Sequence, residues 1–276
     1  MKRTKDDRNK NDNDEVVRFG TRDRIEHLLV MLIFFALALT GLPQKFHDAA
    51  ISKTVVNILG GIAQVRYFHR LAGVLFSLMT LVHLVSILAA VIAGRSTLAM
   101  VPGAKDFRDV VTTLRYYLRI SDVRAQFDRF DYKEKFEYWG ILFGGLIMIT
   151  TGFALLFPIE ATRFLPGQII PAAKVAHGNE GLMAFLVVIV WHIYNVVFAP
   201  EVFPGSKTIF TGKIPRERMR HEHPLEYARM FPEEADEVLG NHAAEPARKQ
   251  ADADAPKPAD ASARKHADAD ARKKDG

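Results

Sequence analysis

Residues 67–83 read YFHRLAGVLFSLMTLVH, an apolar run with one histidine near its start, His69, and another at its end, His83. Fourteen residues separate them, about 21 Å along an α-helix that rises about 1.5 Å per residue. That interval falls about 40° short of four full turns, so both imidazoles leave one face of the helix. An apolar helix with same-face histidines near opposite ends suggests two stacked metal or cofactor sites across a membrane.

The rest of the composition narrows the chemistry. The 276 residues include ten histidines and no cysteine. Disulfides, thiolate zinc sites, iron–sulfur ligation and thioether-linked haem are therefore excluded, and histidine is the main soft ligand left. The mean hydropathy near zero averages polar ends against a very apolar middle. A net charge of +5 is explained more economically by a membrane than by nucleic acid. No cleavable secretory signal is evident, because a polar start precedes a segment long enough to span.

Residues 1–17 are Lys, Asp and Asn with little that is apolar, and read as a disordered leader. A membrane domain is expected over 18–242, with spans at roughly 25–42, 68–93, 138–157 and 175–198. Gly41-Leu42-Pro43 is helix-breaking chemistry and should end the first span. A short interfacial helix is expected around 55–63, and an amphipathic helix around VVTTLRYYL in the connection 95–137. Residues 200–242 are polar and read as ordered against another part of the chain. From 243 to 276 an Ala/Asp/Lys/Pro-rich tail cannot bury a core and reads as disordered.

Orientation follows from Lys and Arg outside the spans. The segments before the first span, between the second and third, and after the fourth carry 8, 9 and 14, against 3 and 2 in the other two connections. Removing the tail leaves the bias intact. Both termini are expected on the cytoplasmic side of a bacterial inner membrane, in an all-α, four-helix, multi-pass bundle.

That topology sorts the five histidines of the spans into layers. His69 and His177 fall near the outer surface, and His27, His83 and His192 near the inner one. His177 and His192, fifteen apart, again share roughly one face. A lone membrane histidine is explained by a hydrogen bond to a neighbouring helix. Five in two layers with repeated spacing point instead to function, because intramembrane ionisable groups are rare. Haem fits: it needs an apolar slot and axial imidazoles, and two histidines per iron leave no position for oxygen chemistry. A metal–carboxylate site competes weakly, since Glu180 is the only acid in the last three spans and Glu26 flanks His27 in the first. Gly73, Gly144, Gly145, Gly178 and Gly181 offer gaps for a flat macrocycle or for plain helix packing. Arg66 and Arg70 suit haem propionates or lipid headgroups equally.

The segments RFGTRDRIEHLLVMLIFFALALTGLPQKF, YFHRLAGVLFSLMTLVHL, EKFEYWGILFGGLIMITTGFALLFP and WHIYNVVFAPEVFP resemble the cytochrome b subunits of formate dehydrogenases (the gamma subunit) and of membrane-bound nickel–iron hydrogenases. HEHPLEY, at 221–227, is similar to a subgroup of these cytochromes. The resemblance implies two b-type haems, His69 paired with His177 and His27 with His192. It favours His27 in the inner layer, whereas spacing favours His83, and both stand at this point.

The expected role is an electron-transfer subunit of a respiratory oxidoreductase, without catalysis of the primary substrate. By the resemblance, a periplasmic oxidoreductase and its iron–sulfur or multihaem subunit exchange electrons with the outer haem, and a quinone reacts near the inner one. Lys133, Glu134 and Glu137 are candidate polar groups there, or simply a solvated helix end. One alternative is a quinol-oxidising cytochrome that feeds a periplasmic reductase. The other is a non-redox membrane anchor. A nucleic-acid role has no folded basic domain to support it.

Overall fold

The computed structural model describes residues 14–95, 98–200 and 202–240. Most of the expected leader, and the whole expected tail from 243, lie outside the described residues.

Among the described residues, four helices are long and apolar enough to cross a membrane: α1 (Thr21–Lys45), α3 (Ile62–Ile92), α5 (Tyr132–Leu156) and a helix over Ile169–Phe198. The last is α-helical as α7 (Ile169–Leu186) and continues in π-helical turns from Val187 to Phe198. At 25, 31, 25 and 30 residues and about 1.5 Å per residue, each exceeds the roughly 30 Å of a bilayer's hydrocarbon core. Leu32, Phe35, Leu81, Val85 and Ile92 turn outward and are exposed, as a lipid-facing surface requires. α1 packs against α3, and α5 against α7, with α1 also touching α7 and α3 touching α5.

Every span extends beyond its sequence estimate at its amino end, because polar residues continue a helix past the apolar window. The end expected at Gly41-Leu42-Pro43 is also corrected. α1 runs through Pro43 to Lys45 and closes with the Phe46 N–H donating to the Leu42 carbonyl at 2.9 Å. Proline lacks one donor and crowds one carbonyl, a local cost that a helix already in its last turn can carry. The short helix expected near 55–63 is α2 (Ala50–Ile58), and the amphipathic helix is α4 (Ala104–Tyr117). Pro158 opens another short helix, α6 (Pro158–Phe164), as suits a residue without an N–H at a first helical position.

The segment after the last span folds back on the start of the chain. β1 (Glu15–Val17) pairs antiparallel with β2 (Lys213–Pro215), with Val16 opposite Ile214. Residues 15–17, expected in the leader, are therefore structured, because the partner strand satisfies their backbone. α8 (Thr208–Thr211), α9 (Arg216–Glu222) and α10 (Pro224–Met230) complete this cap. Val16, Ile214, Met219, Tyr227 and Val238 form its core, with Phe231 packed against them.

Arg18 ties the cap to the spans. Its buried guanidinium donates to Glu226 Oε2 at 2.8 Å and to the Arg129 carbonyl at 2.5 Å, and lies 3.5 Å from Glu134 of α5. Arg129 in turn donates to Glu226 Oε1 at 2.9 Å. Buried His223 donates its Nδ1–H to the Asp128 carbonyl at 2.7 Å. Burial and the nearby Arg18 charge push its pKa down to about 3.

Candidate functional site

A partly open cavity of about 2370 Å³ runs through the bundle and reaches all five span histidines. An ordinary small-molecule site takes about 300–1,000 Å³, so this space suits more than one large planar group. His69 and His177 stand at the end away from the cap. His27, His83 and His192 stand at the cap end.

The structure brings four of the five together in pairs. The His69 and His177 ring centres lie 6.2 Å apart with planes at 83°. His27 and His192 repeat that separation, 6.2 Å, at 34°. A metal–imidazole bond of about 2 Å, plus about 1.1 Å from nitrogen to ring centre, places two imidazoles on opposite sides of one metal about 6.2 Å apart. Both pairs have the spacing that two axial ligands to one iron need.

Hydrogen bonds decide which ring nitrogen is left to coordinate. The Thr40 hydroxyl donates to the Ala36 carbonyl at 2.6 Å, so toward His69 it can only accept, and the His69 Nδ1–H donates to it at 3.0 Å. Thr151 repeats this on α5, donating to the Ile147 carbonyl at 2.6 Å and accepting from His177 Nδ1 at 3.0 Å. The His192 Nδ1–H donates to Glu137 Oε2 at 2.7 Å. In all three rings Nδ1 carries the proton and Nε2 keeps its lone pair, as a ligating histidine requires.

His83 is placed differently. Its Nδ1–H donates to Glu26 Oε2 at 2.8 Å, and its Nε2 accepts from the Tyr138 hydroxyl at 3.1 Å. Both nitrogens are engaged, and its nearest ring neighbour is Tyr138, at 6.0 Å between centres, rather than a histidine. Spacing along α3 put His83 on the face of His69, but α1 supplies His27 to the same layer, directly across from His192.

Glycines make room for this arrangement. A Cβ on Gly41 would stand 3.0 Å from His69 Cε1, and one on Gly152 would stand 3.2 Å from His177 Cε1. Gly73 meets nothing within 4 Å and opens directly onto the cavity it lines. The other glycines singled out from the sequence serve packing. Gly144 accommodates Glu180, Gly145 accommodates Phe76, Gly181 faces Met148, and Gly178 faces Lys45. Arg66 and Arg70 line the far end of the cavity.

Of the polar groups opening α5, Glu137 orients His192. Glu134 closes a capping box with Asp131, its N–H donating to Asp131 Oδ1 at 2.8 Å while the Asp131 N–H donates to Glu134 Oε2 at 2.9 Å. This end of the helix is thus organised by specific contacts and is not a freely solvated terminus. Thr40, Thr151 and Gly152 escape the sequence reading, and Gly41, read there as a helix breaker, instead makes room for His69. The one available hint is that Thr-Gly occurs in both α1 and α5, each time against a histidine of another helix. Among the described residues no three His, Asp or Glu side chains converge as a metal cluster. The donor set is two-imidazole pairs in an apolar cavity.

A family model for prokaryotic cytochrome b561 matches residues 18–212. The chain belongs to the prokaryotic cytochrome b561 family. It is accordingly a multi-pass membrane cytochrome b, of a family that binds b-type haem and transfers electrons with redox enzymes as partners. The matched region contains all four spans and all five span histidines, and ends within the cap, just after α8. No curated protein sequence matches the chain.

Proposed function

We propose that this cytochrome is the di-haem b subunit of a respiratory oxidoreductase, moving electrons between a periplasmic partner and the quinone pool. The observation that carries the reading is the pair of facing histidine couples, each at 6.2 Å, at opposite ends of one cavity. In this reading His69 and His177 hold the far-end haem, and His27 and His192 hold the one at the cap end. Bound there, each haem supplies a one-electron couple. The chain's own contribution is to hold the imidazoles and fix the tautomers of His69, His177 and His192 through Thr40, Thr151 and Glu137. His83, with both nitrogens occupied, is a positioning group rather than a ligand.

The Lys/Arg distribution supports a cytoplasmic cap, an inner-membrane location and a far end facing the periplasm. Arg66 and Arg70 at that end suit propionates. An iron–sulfur or multihaem subunit of a formate dehydrogenase-like or hydrogenase-like enzyme is the partner expected at the far end, with quinone reacting near the cap. Residues 18–242 then form one membrane domain, with β1 (Glu15–Val17) joined to it through the cap, and the tail 243–276 is not needed for the chemistry.

Reduced-minus-oxidised spectra and haem-to-protein ratios of the purified chain test this. Two b-type haems per chain are expected. Neither His69→Ala nor His177→Ala should retain more than one. Absence of a b-type band, or two haems retained in either variant, overturns the assignment.

A further inference from the structure

Helix α4 and the turn after it read AKDFRDVVTTLRYYLR, from Ala104 to Arg119. The two acids of this segment, Asp106 and Asp109, are buried. Lys135 Nζ lies 2.8 and 2.9 Å from the two carboxylate oxygens of Asp106, and Lys105 Nζ lies 2.5 Å from Asp109. Its apolar side faces out instead. Phe107 is 73 % exposed, Val111 55 %, Leu114 56 % and Leu118 60 %, at the helical intervals that make one stripe. Arg108, Arg115 and Arg119 lie along one edge of that stripe and are also exposed. With both acids turned inward and neutralised, the outer surface of the segment is apolar and cationic only.

Its position says what covers that surface. α4 packs on α5, where Lys135 takes Asp106 in the first turn of the membrane span. The Trp139 indole N–H donates to the Met100 carbonyl at 2.9 Å, holding the turn before α4 against the same span. The helix therefore sits where α5 enters the bilayer, at the level of Lys135 and Trp139, and Phe136 and Phe143 of the same span are themselves exposed. An apolar stripe with an arginine rim at this level matches the acyl boundary below and phosphate headgroups beside it. We propose that α4 is an interfacial anchor, its stripe of Phe107, Val111, Leu114 and Leu118 immersed in the bilayer surface and its three arginines bound to anionic phospholipid.

The chain has no cysteine, so a single introduced cysteine carries one spin label. Phe107→Cys and Leu114→Cys are compared with Asp122→Cys as an aqueous reference, in the full chain with bound haem, in proteoliposomes of phosphatidylcholine and phosphatidylglycerol. The ratio of oxygen to water-soluble nickel-chelate accessibility is expected to be several-fold higher at 107 and 114 than at 122. A ratio equal to that at 122 puts the face in water and overturns the proposal. Exclusion of both reagents means that protein covers the face and overturns it equally. Spin-labelled phosphatidylglycerol should be immobilised more than phosphatidylcholine, and Arg108→Gln/Arg115→Gln/Arg119→Gln should abolish the difference. An unchanged haem spectrum in the triple variant shows that the bundle is intact. Equal immobilisation of the two lipids by the parent chain refutes the anionic preference.

Discussion

Thr40→Val tests whether the far-end histidines are set for coordination by threonines of the helices packed against them. Valine reproduces the shape of threonine but removes the hydroxyl that accepts from His69 Nδ1 at 3.0 Å. The orphaned N–H costs about 1–3 kcal/mol when buried. Losing an orienting partner weakens metal binding about 10–100-fold, which is about 1.4–2.8 kcal/mol at 1.4 kcal/mol per decade. The two estimates coincide, and because His69 is half-buried the lower half of the range is expected. Haem transfer from the purified chain to an excess of a scavenging apo-haem protein reads the effect. Two phases are expected, with Thr40→Val accelerating one about tenfold and leaving the other unchanged. Thr40→Ser, which keeps the hydroxyl, should restore the parent rate. A valine variant identical to the parent, equal acceleration of both phases, or a serine variant as fast as valine would each refute the role given to this hydrogen bond.

Other outcomes follow from the same geometry. His27→Ala should remove the cap-end haem, whereas His83→Gln should keep both. Haem loss in the glutamine variant alone would exchange their roles. Gly152→Val should displace the His177 ring, since even a Cβ there stands 3.2 Å from Cε1. An overpacking cost of about 1–3 kcal/mol should appear as a shifted far-end midpoint potential or lost haem, and an unaltered titration would mean the ring has slack. Arg18→Met leaves Glu226 with Arg129 as its ion-pair partner. Breaking such a buried network costs about 3–5 kcal/mol, read as faster proteolysis of the cap, with Arg18→Met/Glu226→Gln recovering part of the loss. The cap should also weaken in acid. Between pH 6.5 and about 3 the unfolded cap binds a proton at His223 that the native cap excludes, so stability falls as pH drops through that window. His223→Asn should flatten protease resistance across it. A slope as steep as the parent's assigns the effect to other groups.

Much of this protein is legible along the chain. Four apolar runs of membrane length can only be helices, because in lipid each backbone N–H and C=O must be satisfied within its own segment. Periodicity then carries His69 and His83 to one face of α3, and hydropathy alone sorts the histidines into two layers. Boundaries were less legible. Polar residues extend each span, and Pro43 does not stop α1, because a proline in a final turn costs little.

Which histidines face each other is a different kind of fact. Residues 67–83 place His69 and His83 equally well, and nothing in that stretch separates them. The tertiary structure does, because α1 and the π-helical continuation of α7 approach at the cap end and bring the His27 ring centre to 6.2 Å from that of His192, while Glu26 and Tyr138 occupy both nitrogens of His83. The tautomers were hidden for the same reason. Thr40, Thr151 and Glu137 lie 29, 26 and 55 residues from the rings they orient, and only helix packing makes them neighbours. Local sequence determines which segments cross the membrane and at what depth each ring lies. Rotation of the helices about their axes, set by side chains distant in the chain, determines which rings meet.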